Sequence, residues 1–220
     1  MSVFAGPNIE TAGILFYYDS GNPLKWKPAT NTLVDVVTSN TITLTNAQVG
    51  NDIYFNGANS GLVTTTVPPS TSNTYFSIEA VFKSANNTNN PIFVCPQNNG
   101  IDHFFRLYAD NSFQFQLTTS ADVGNRVYGL SGFALNIYHH VVCVKDGDNI
   151  HIYKNGILGS TVADALGTGN WGSTTWAIGN RGNGTFWFTG EIPLVKFYDQ
   201  ALSPAEVRKN FNAIRNRYSI

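Results

Sequence analysis

The chain has 220 residues, a formal net charge of −1, and 42% hydrophobic and 13% aromatic but only 12% charged residues, about half the usual charged share. These figures fit one all-β domain over 1–220 with an ordinary core, and the lack of any basic run excludes a nucleic-acid footprint. No apolar stretch approaches the ~20 residues of a membrane-inserted helix, and no cationic, then apolar, segment opens the chain, so synthesis in a reducing cytoplasm is expected.

Runs rich in β-branched and aromatic residues recur between turn-forming clusters, the pattern of a sandwich or barrel. In chain order, strands are expected over 13–18, 53–55, 75–83, 91–95, 103–108, 112–119, 138–145, 149–154, 175–178 and 190–198. Asp146-Gly147 and Asn155-Gly156 fall between strand signals and carry residues that tolerate the positive φ of hairpin turns. Cys95 and Cys143 each lie in an apolar strand and read as buried free thiols rather than a disulfide. One helix is expected after Ser203, which caps it, with Pro204 at the first helical position and Glu206 completing a capping box. Leu202 is placed to staple onto Val207. Val207, Phe211 and Ile214 then form one apolar stripe, opposite a charged face of Arg208, Lys209, Arg215 and Arg217 that reads as solvated, with a docking surface as the alternative.

Strand alternation sorts side chains by face. Phe76, Ile78, Ala80 and Phe82 point to the core, as do Phe105 and Leu107, and Phe113, Phe115 and Leu117; Val142 with Val144, and Ile150 with Ile152, continue the set. The opposite faces carry Glu79, Arg106, Tyr108, Gln114, Gln116, His151 and Tyr153. If these strands share a sheet, they dress one outer face, either solvated or a recognition surface on which aromatic rings stack on a ligand and Arg and Gln hydrogen-bond it. Glu79 is then the opposing charge that orients Arg106. The second candidate is a pair of Gly-rich loops bearing Trp171, Asn180, Arg181 and Trp187, suited to a shallow sugar site. The alternative is that Trp176 and Phe186 or Phe188 anchor those loops in the core.

The segments His139-His140-Val141-Val142, Ile150-His151-Ile152-Tyr153-Lys154-Asn155-Gly156, Gly190-Glu191-Ile192 and 197–207 resemble, in order and spacing, the concanavalin A-like lectin/glucanase superfamily, in its laminin G-like and pentraxin branch. The resemblance implies a two-sheet antiparallel β-sandwich of jelly-roll type with one short C-terminal helix, in a superfamily whose members bind glycans, cut glycans or decorate surfaces. The two ends, Phe4-Ala5-Gly6-Pro7-Asn8-Ile9 with 13–23, and 206–218, are similar to laminin G-like virion proteins of tailed bacteriophages. The similarity runs from residue 4 to residue 218 and breaks at 25–51, so family binding roles in that loop do not carry over. It implies a capsid decoration or auxiliary structural protein, made in the host cytoplasm and carried on the virion surface, whose partners are capsid or tail proteins and cell-surface glycans. A receptor-binding lectin of a tail fibre or tail tip is the alternative, and a glycan hydrolase a distant one.

Hydrolysis of a glycosidic bond needs two carboxylates across it, ~5–5.5 Å apart for retention. The superfamily's glucanases set them on one strand as Glu-x-Asp-x-Glu. Here Glu79 is followed two and four residues later by Val81 and Lys83, and Glu191 by Ile192-Pro193-Leu194, so no enzyme and no catalytic residue is expected. His139 and His140 point to opposite faces, His103 and His151 are isolated, and no spacing matches zinc. No cofactor is expected, with Ca²⁺ the one candidate: the resemblance brings calcium-binding lectins into view, and Asp19 and Asp102, with Asn22, Asn180 and Asn183, are loop oxygens. Turns favour those residues for backbone reasons as well.

Overall fold

Alternating apolar side chains drive this sequence into strands, each burying one face. The computed structural model describes residues 8–22, 26–27, 32–45, 48–49, 53–64, 74–88, 90–95, 103–117, 126–164, 176–181 and 186–220. Among them, the first strands are β1 (Ile14–Asp19), β2 (Trp26–Lys27), β3 (Thr32–Val34), β4 (Thr41–Thr45), β5 (Gln48–Val49), β6 (Ile53–Asn56) and β7 (Gly61–Thr64). The middle of the chain supplies β8 (Tyr75–Ser84), β9 (Asn90–Cys95), β10 (His103–Leu107), β11 (Phe113–Leu117) and β12 (Arg126–Leu130). β13 (His139–Asp146), β14 (Asn149–Lys154), β15 (Ile157–Ala163), β16 (Trp176–Ile178), β17 (Thr189–Tyr198) and the helix α1 (Pro204–Tyr218) complete it.

Two antiparallel sheets form a sandwich. The first runs β15-β14-β13-β8-β17-β6-β5, with β1 also paired to β17, and the second runs β12-β11-β10-β9-β16-β7-β4-β3-β2. Their facing sides share the main core, which includes Phe76, Ile78, Ala80, Phe82, Phe105, Leu107, Phe113, Phe115, Ile150 and Ile152. Aromatic rings dominate it: Phe76 meets Phe115 edge-on at 6.1 Å and Phe105 meets Phe113 at 4.4 Å, geometries that suit the ring quadrupole. Cys143 is a buried free thiol in this core. Cys95 lies in β9.

Helix α1 covers the other side of the first sheet. Ser203 caps it in extended geometry, Pro204 stands at the start, and both halves of the capping box with Glu206 are present. Val207 packs with Leu202, Val142, Val144, Tyr153 and Tyr198, while Ile214 and Tyr218 pack with Val81 and Leu194. The first sheet is therefore buried on both faces. That corrects the expected orientation of β13: Val141 and Cys143 face the sandwich core, and Val142 and Val144 face the helix. The alternation has the expected period, but both faces of this strand are apolar, so the period alone does not choose between them.

Both hairpin turns form. Gly147 adopts φ 57° between β13 and β14. Asn155 and Gly156 have φ 50° and 72° between β14 and β15, the two positive values a type I′ turn requires. Gly156 is also pressed by Phe211, whose ring would lie 2.8 Å from an added Cβ. The helix face expected to be solvated is partly engaged instead. Lys209 reaches Glu10 at 3.1 Å and Arg217 reaches Asp19 at 2.5 Å, tying the C-terminal helix to the start of the chain.

Candidate functional site

β10 directs Phe105 and Leu107 into the core, so Phe104 and Arg106 project from the outer face of the second sheet. β11 pairs Gln116 with Phe104 and Gln114 with Arg106, which puts both carboxamides on that face. β16 reaches the same face two strands away, through β9. There Gly179 donates to the Ile92 carbonyl at 3.1 Å and accepts from the Phe188 amide at 2.8 Å. Its φ of 80°, and a Phe55 ring 2.4 Å from any added Cβ, leave room only for glycine. Beyond it, Asn180 bridges Trp187, and Arg181 and Phe186 stand at the mouth of the excursion.

These side chains form a cation–aromatic ladder. The Arg106 guanidinium carbon lies 4.9 Å from the Tyr108 ring centre and 5.2 Å from that of Phe104. The Arg181 carbon lies 5.2 Å from the same Phe104 centre and 5.6 Å from that of Phe186. Arg106 Nε and Nη2 donate to Gln114 Oε1 at 3.2 and 3.0 Å, and Nη2 to Gln116 Oε1 at 3.4 Å. Phe104 is the buried floor, whereas Tyr108 and Phe186 keep 38% and 42% of their surface exposed and flank it with open aromatic planes. Burial, with the Arg181 charge adding to it, pulls Arg106 below its ordinary pKa.

The structure divides the seven residues expected on one face. Arg106, Tyr108, Gln114 and Gln116 belong to the second sheet. Glu79, His151 and Tyr153 belong to the first, on its helix-covered side. Glu79 therefore does not orient Arg106. It is fully buried, with Oε1 accepting from Lys196 Nζ at 2.8 Å and lying 3.2 Å from His140 Nε2, and Oε2 accepting from Asn210 Nδ2 at 2.7 Å and Tyr198 Oη at 3.3 Å. Burial opposes its ionisation, but Lys196 and His140 together outweigh that and hold the carboxyl down at about 2. Tyr153 is buried beneath the helix rather than lying off the core. Half-buried His151 meets the Thr161 hydroxyl at 2.9 Å.

The two expected surfaces are instead partly merged, since Arg181 from the loop group joins Arg106 from the sheet group. Asn180 is buried and Trp187 half-buried; Trp171 and Asp102 lie outside the described residues. Phe188 anchors this excursion in the core, edge-on to Phe55 at 6.1 Å and to Phe82 at 6.4 Å. Phe104 and Phe186 were not legible as site residues. Alternation sets Phe104 beside Arg106 and opposite Phe105 and Leu107, but an apolar ring there carries no sequence signal of a site, and Phe186, held at φ 55°, carries none of its exposure.

Asp19 does not fit the role of a calcium ligand. Its carboxylate takes Arg217, the Tyr17 hydroxyl at 3.0 Å and the Gly21 amide at 3.0 Å. Among the described residues no group of three or more His, Cys, Asp and Glu side chains could hold a metal ion. A cleft of about 630 Å³ opens by the helix C-terminus between Lys83, Tyr138, Lys154 and Tyr218. Its cations are committed, Lys83 to Glu191 at 2.5 Å and Lys154 to the Gly132 carbonyl. No helix among the described residues is long and apolar enough to cross a membrane.

A laminin G family model, described as Concanavalin A-like lectin/glucanases superfamily, matches residues 56–208. The chain belongs to this superfamily. No curated protein sequence matches it. Solved structures related to this superfamily member by fold include domain 4 of AbnA, a GH43 extracellular arabinanase of Geobacillus stearothermophilus in complex with arabinotriose. That likeness has a TM-score of 0.63 at 18% identity, over 91% of this chain and 99% of that one. Trypanosoma rangeli sialidase in complex with sialic acid gives 0.65 at 19% identity, over 93% of this chain and 33% of that one. The binding domain of botulinum neurotoxin DC, in complex with rat synaptotagmin II, gives 0.68 at 17% identity, over 92% and 52%. The chain thus spans a third of the sialidase and about half of the toxin domain, and at these identities the likeness is one of fold.

Proposed function

We propose that this domain is a glycan-recognition module without hydrolytic activity, displayed on a bacteriophage virion surface. The observation that carries the glycan reading is the ladder of Tyr108, Arg106, Phe104, Arg181 and Phe186. Sugar rings offer apolar C–H faces beside polar substituents, and exposed aromatic planes alternating with guanidinium donors match both. The arabinotriose and sialic acid complexes among the structural neighbours support this reading by analogy of fold. The non-hydrolytic reading rests on the commitment of both strand glutamates. Glu79 is sealed beneath the helix, and Glu191 is held by Lys83 and the Tyr138 hydroxyl.

The virion placement is supported by the similarity of the two chain ends to phage laminin G-like proteins. Capsid decoration, with capsid proteins as partners, is the main reading; a receptor-binding lectin of a tail fibre or tail tip is the alternative. A map of the purified virion separates them by position and copy number, and absence of the protein from particles overturns both. On a glycan array the unmodified protein should retain a discrete set of sugars. The variant Tyr108→Ala with Phe186→Ala should lose them at an unchanged melting temperature, since both rings are substantially exposed. Retention of no sugar by the unmodified protein overturns the glycan reading.

A further inference from the structure

We propose that the flank where α1 meets the β14–β15 hairpin is a docking surface for a virion protein that presents an apolar side chain between acidic ones. This rests on the virion placement above and names the face through which the domain is seated on the particle.

The cations of α1 divide by flank. Arg208 lies three residues before Phe211 and Arg215 four after it, so both share its side of the helix. On that side the Phe211 ring presses Gly156 at the hairpin tip. Lys209 and Arg217 lie on the other flank, where Glu10 and Asp19 meet them. Arg208 and Arg215 are exposed, and among the described residues neither has a hydrogen bond or an ion pair. The surrounding sequence supplies no counter-charge. Residues 126–145 and 149–163 contain no Asp or Glu, and Asp146 and Asp148 stand at the other end of β14. Glu206, the one acid of α1, is held in the capping box. Four basic residues against one acid give α1 a charge of +3, so the rest of a chain of net charge −1 carries −4. The positive excess is therefore local to this helix, and on the hairpin flank it is unanswered among the described residues.

Apolar surface adjoins these charges. Ile157 and Leu158, which leave the hairpin turn, keep 62% and 49% of their surface exposed. Leu158 stands opposite Tyr153, which packs with Val207 of the helix. Past the turn, Lys154 and Asn155 line the cleft of about 630 Å³ together with Ser219 and Ile137, the latter 52% exposed. Lys154 donates to the Gly132 carbonyl and meets no carboxylate among the described residues. Exposed aliphatic groups rimmed by polar ones mark contact surfaces, and guanidiniums of one sign select a partner of the other. A walled cleft accepts an inserted side chain. A bilayer surface is flat, and attachment to it scales with apolar area, of which three separated aliphatic residues offer little. The ladder lies on the other sheet, so it stays open when this flank is occupied.

The test supplies each full-length variant during growth of phage deleted for this gene and measures its copies per purified particle. The unmodified protein should be carried, and released as sodium chloride is raised in the wash. Arg208→Glu with Arg215→Glu should lower the copy number about 10-fold or more, and Ile157→Thr with Leu158→Thr about 5-fold. Both pairs should keep the melting temperature, since all four side chains are substantially exposed. Tyr108→Ala with Phe186→Ala should be carried like the parent, and the reversed arginine pair should keep the parent's retention on the glycan array. If the reversed pair fails to fold, Arg208→Gln with Arg215→Gln decides, with a smaller loss. Parental copy numbers for both arginine pairs, or loss in the ladder variant alone, overturn this surface and leave the virion placement standing. Binding of the parent to phosphatidylglycerol vesicles that the reversed pair abolishes, with equal copies of both on particles, overturns it in favour of a lipid surface. Absence of the unmodified protein from particles overturns both readings.

Discussion

Lys196, His140, Asn210 and Tyr198 all turn toward the Glu79 carboxylate, inside a layer closed by sheet below and helix above. Breaking a buried charge pair by removing one partner costs about 3–5 kcal/mol, because the other charge is left buried without its counterpart. Glu79→Gln should therefore lower the melting temperature strongly, and a variant as stable as the parent would show that the cluster contributes little. The same group sets a pH dependence. Its folded pKa lies below the ordinary carboxylate value of 4.5, at about 2. The stabilisation is thus complete above 4.5 and is lost as pH falls towards 2. Acid unfolding followed by tryptophan fluorescence should show the parent losing stability across that window, with a shallower slope for Glu79→Gln. Equal slopes would assign the acid sensitivity to other carboxylates.

At the scale of elements, α1 was legible nearly in full, because its signals are local: Ser203, Pro204 and Glu206 at the start, then Val207, Phe211 and Ile214 at helical spacing. Phe211 is 7% exposed and lies over the His140 ring at 5.7 Å between centres. Phe211→Ala should cost about 3–5 kcal/mol in urea unfolding, and Ser203→Ala about 1 kcal/mol, since only a cap is lost. An unchanged midpoint for Phe211→Ala would refute the docking of the helix. The ten expected strands all have counterparts in the sheets. Among those missed, β12 with Gly129, β15 with Gly159 and the two-residue β2 and β5 carry glycine or too few residues to show a period, whereas β4 alternates Thr with Ile42 and Leu44, a local signal outside the expected set. Apart from β4, their strand state comes from neighbours across the ladder, not from local pattern. The site divided along the same line. Arg106, Gln114 and Gln116 were readable on one face because β10 and β11 are adjacent strands. Their union with Arg181 passes through β9 and β16, which are far apart in sequence. The separation of Glu79 and Tyr153 from them depends on which sheet each strand joins and which sheet the helix covers, and alternation within a strand carries neither fact.

Across the whole molecule, the two outer faces of the sandwich have opposite fates. One is closed by α1 and holds the buried charges; the other presents the ladder. The two most specific stretches of the sequence, its beginning and its end, meet on the closed side. Asp19 pairs with Arg217, Lys209 with Glu10, and the Glu10 amide donates to Asn210 Oδ1 at 2.6 Å. Their distinctive residues therefore serve the closure of the helix onto the sheet, away from the ladder. A separation of effects follows. Asp19→Asn should lower stability by about 1 kcal/mol, a modest figure because Arg217 keeps 38% of its side chain exposed and solvent screens the pair. Its glycan binding should equal that of the parent. Arg181→Gln should do the reverse, with unchanged unfolding and weakened binding. Measuring both variants by thermal unfolding and by retention on the same glycan array gives four values. If Asp19→Asn weakens binding as much as Arg181→Gln does, the two faces are coupled and the assignment of recognition to the ladder side alone is wrong.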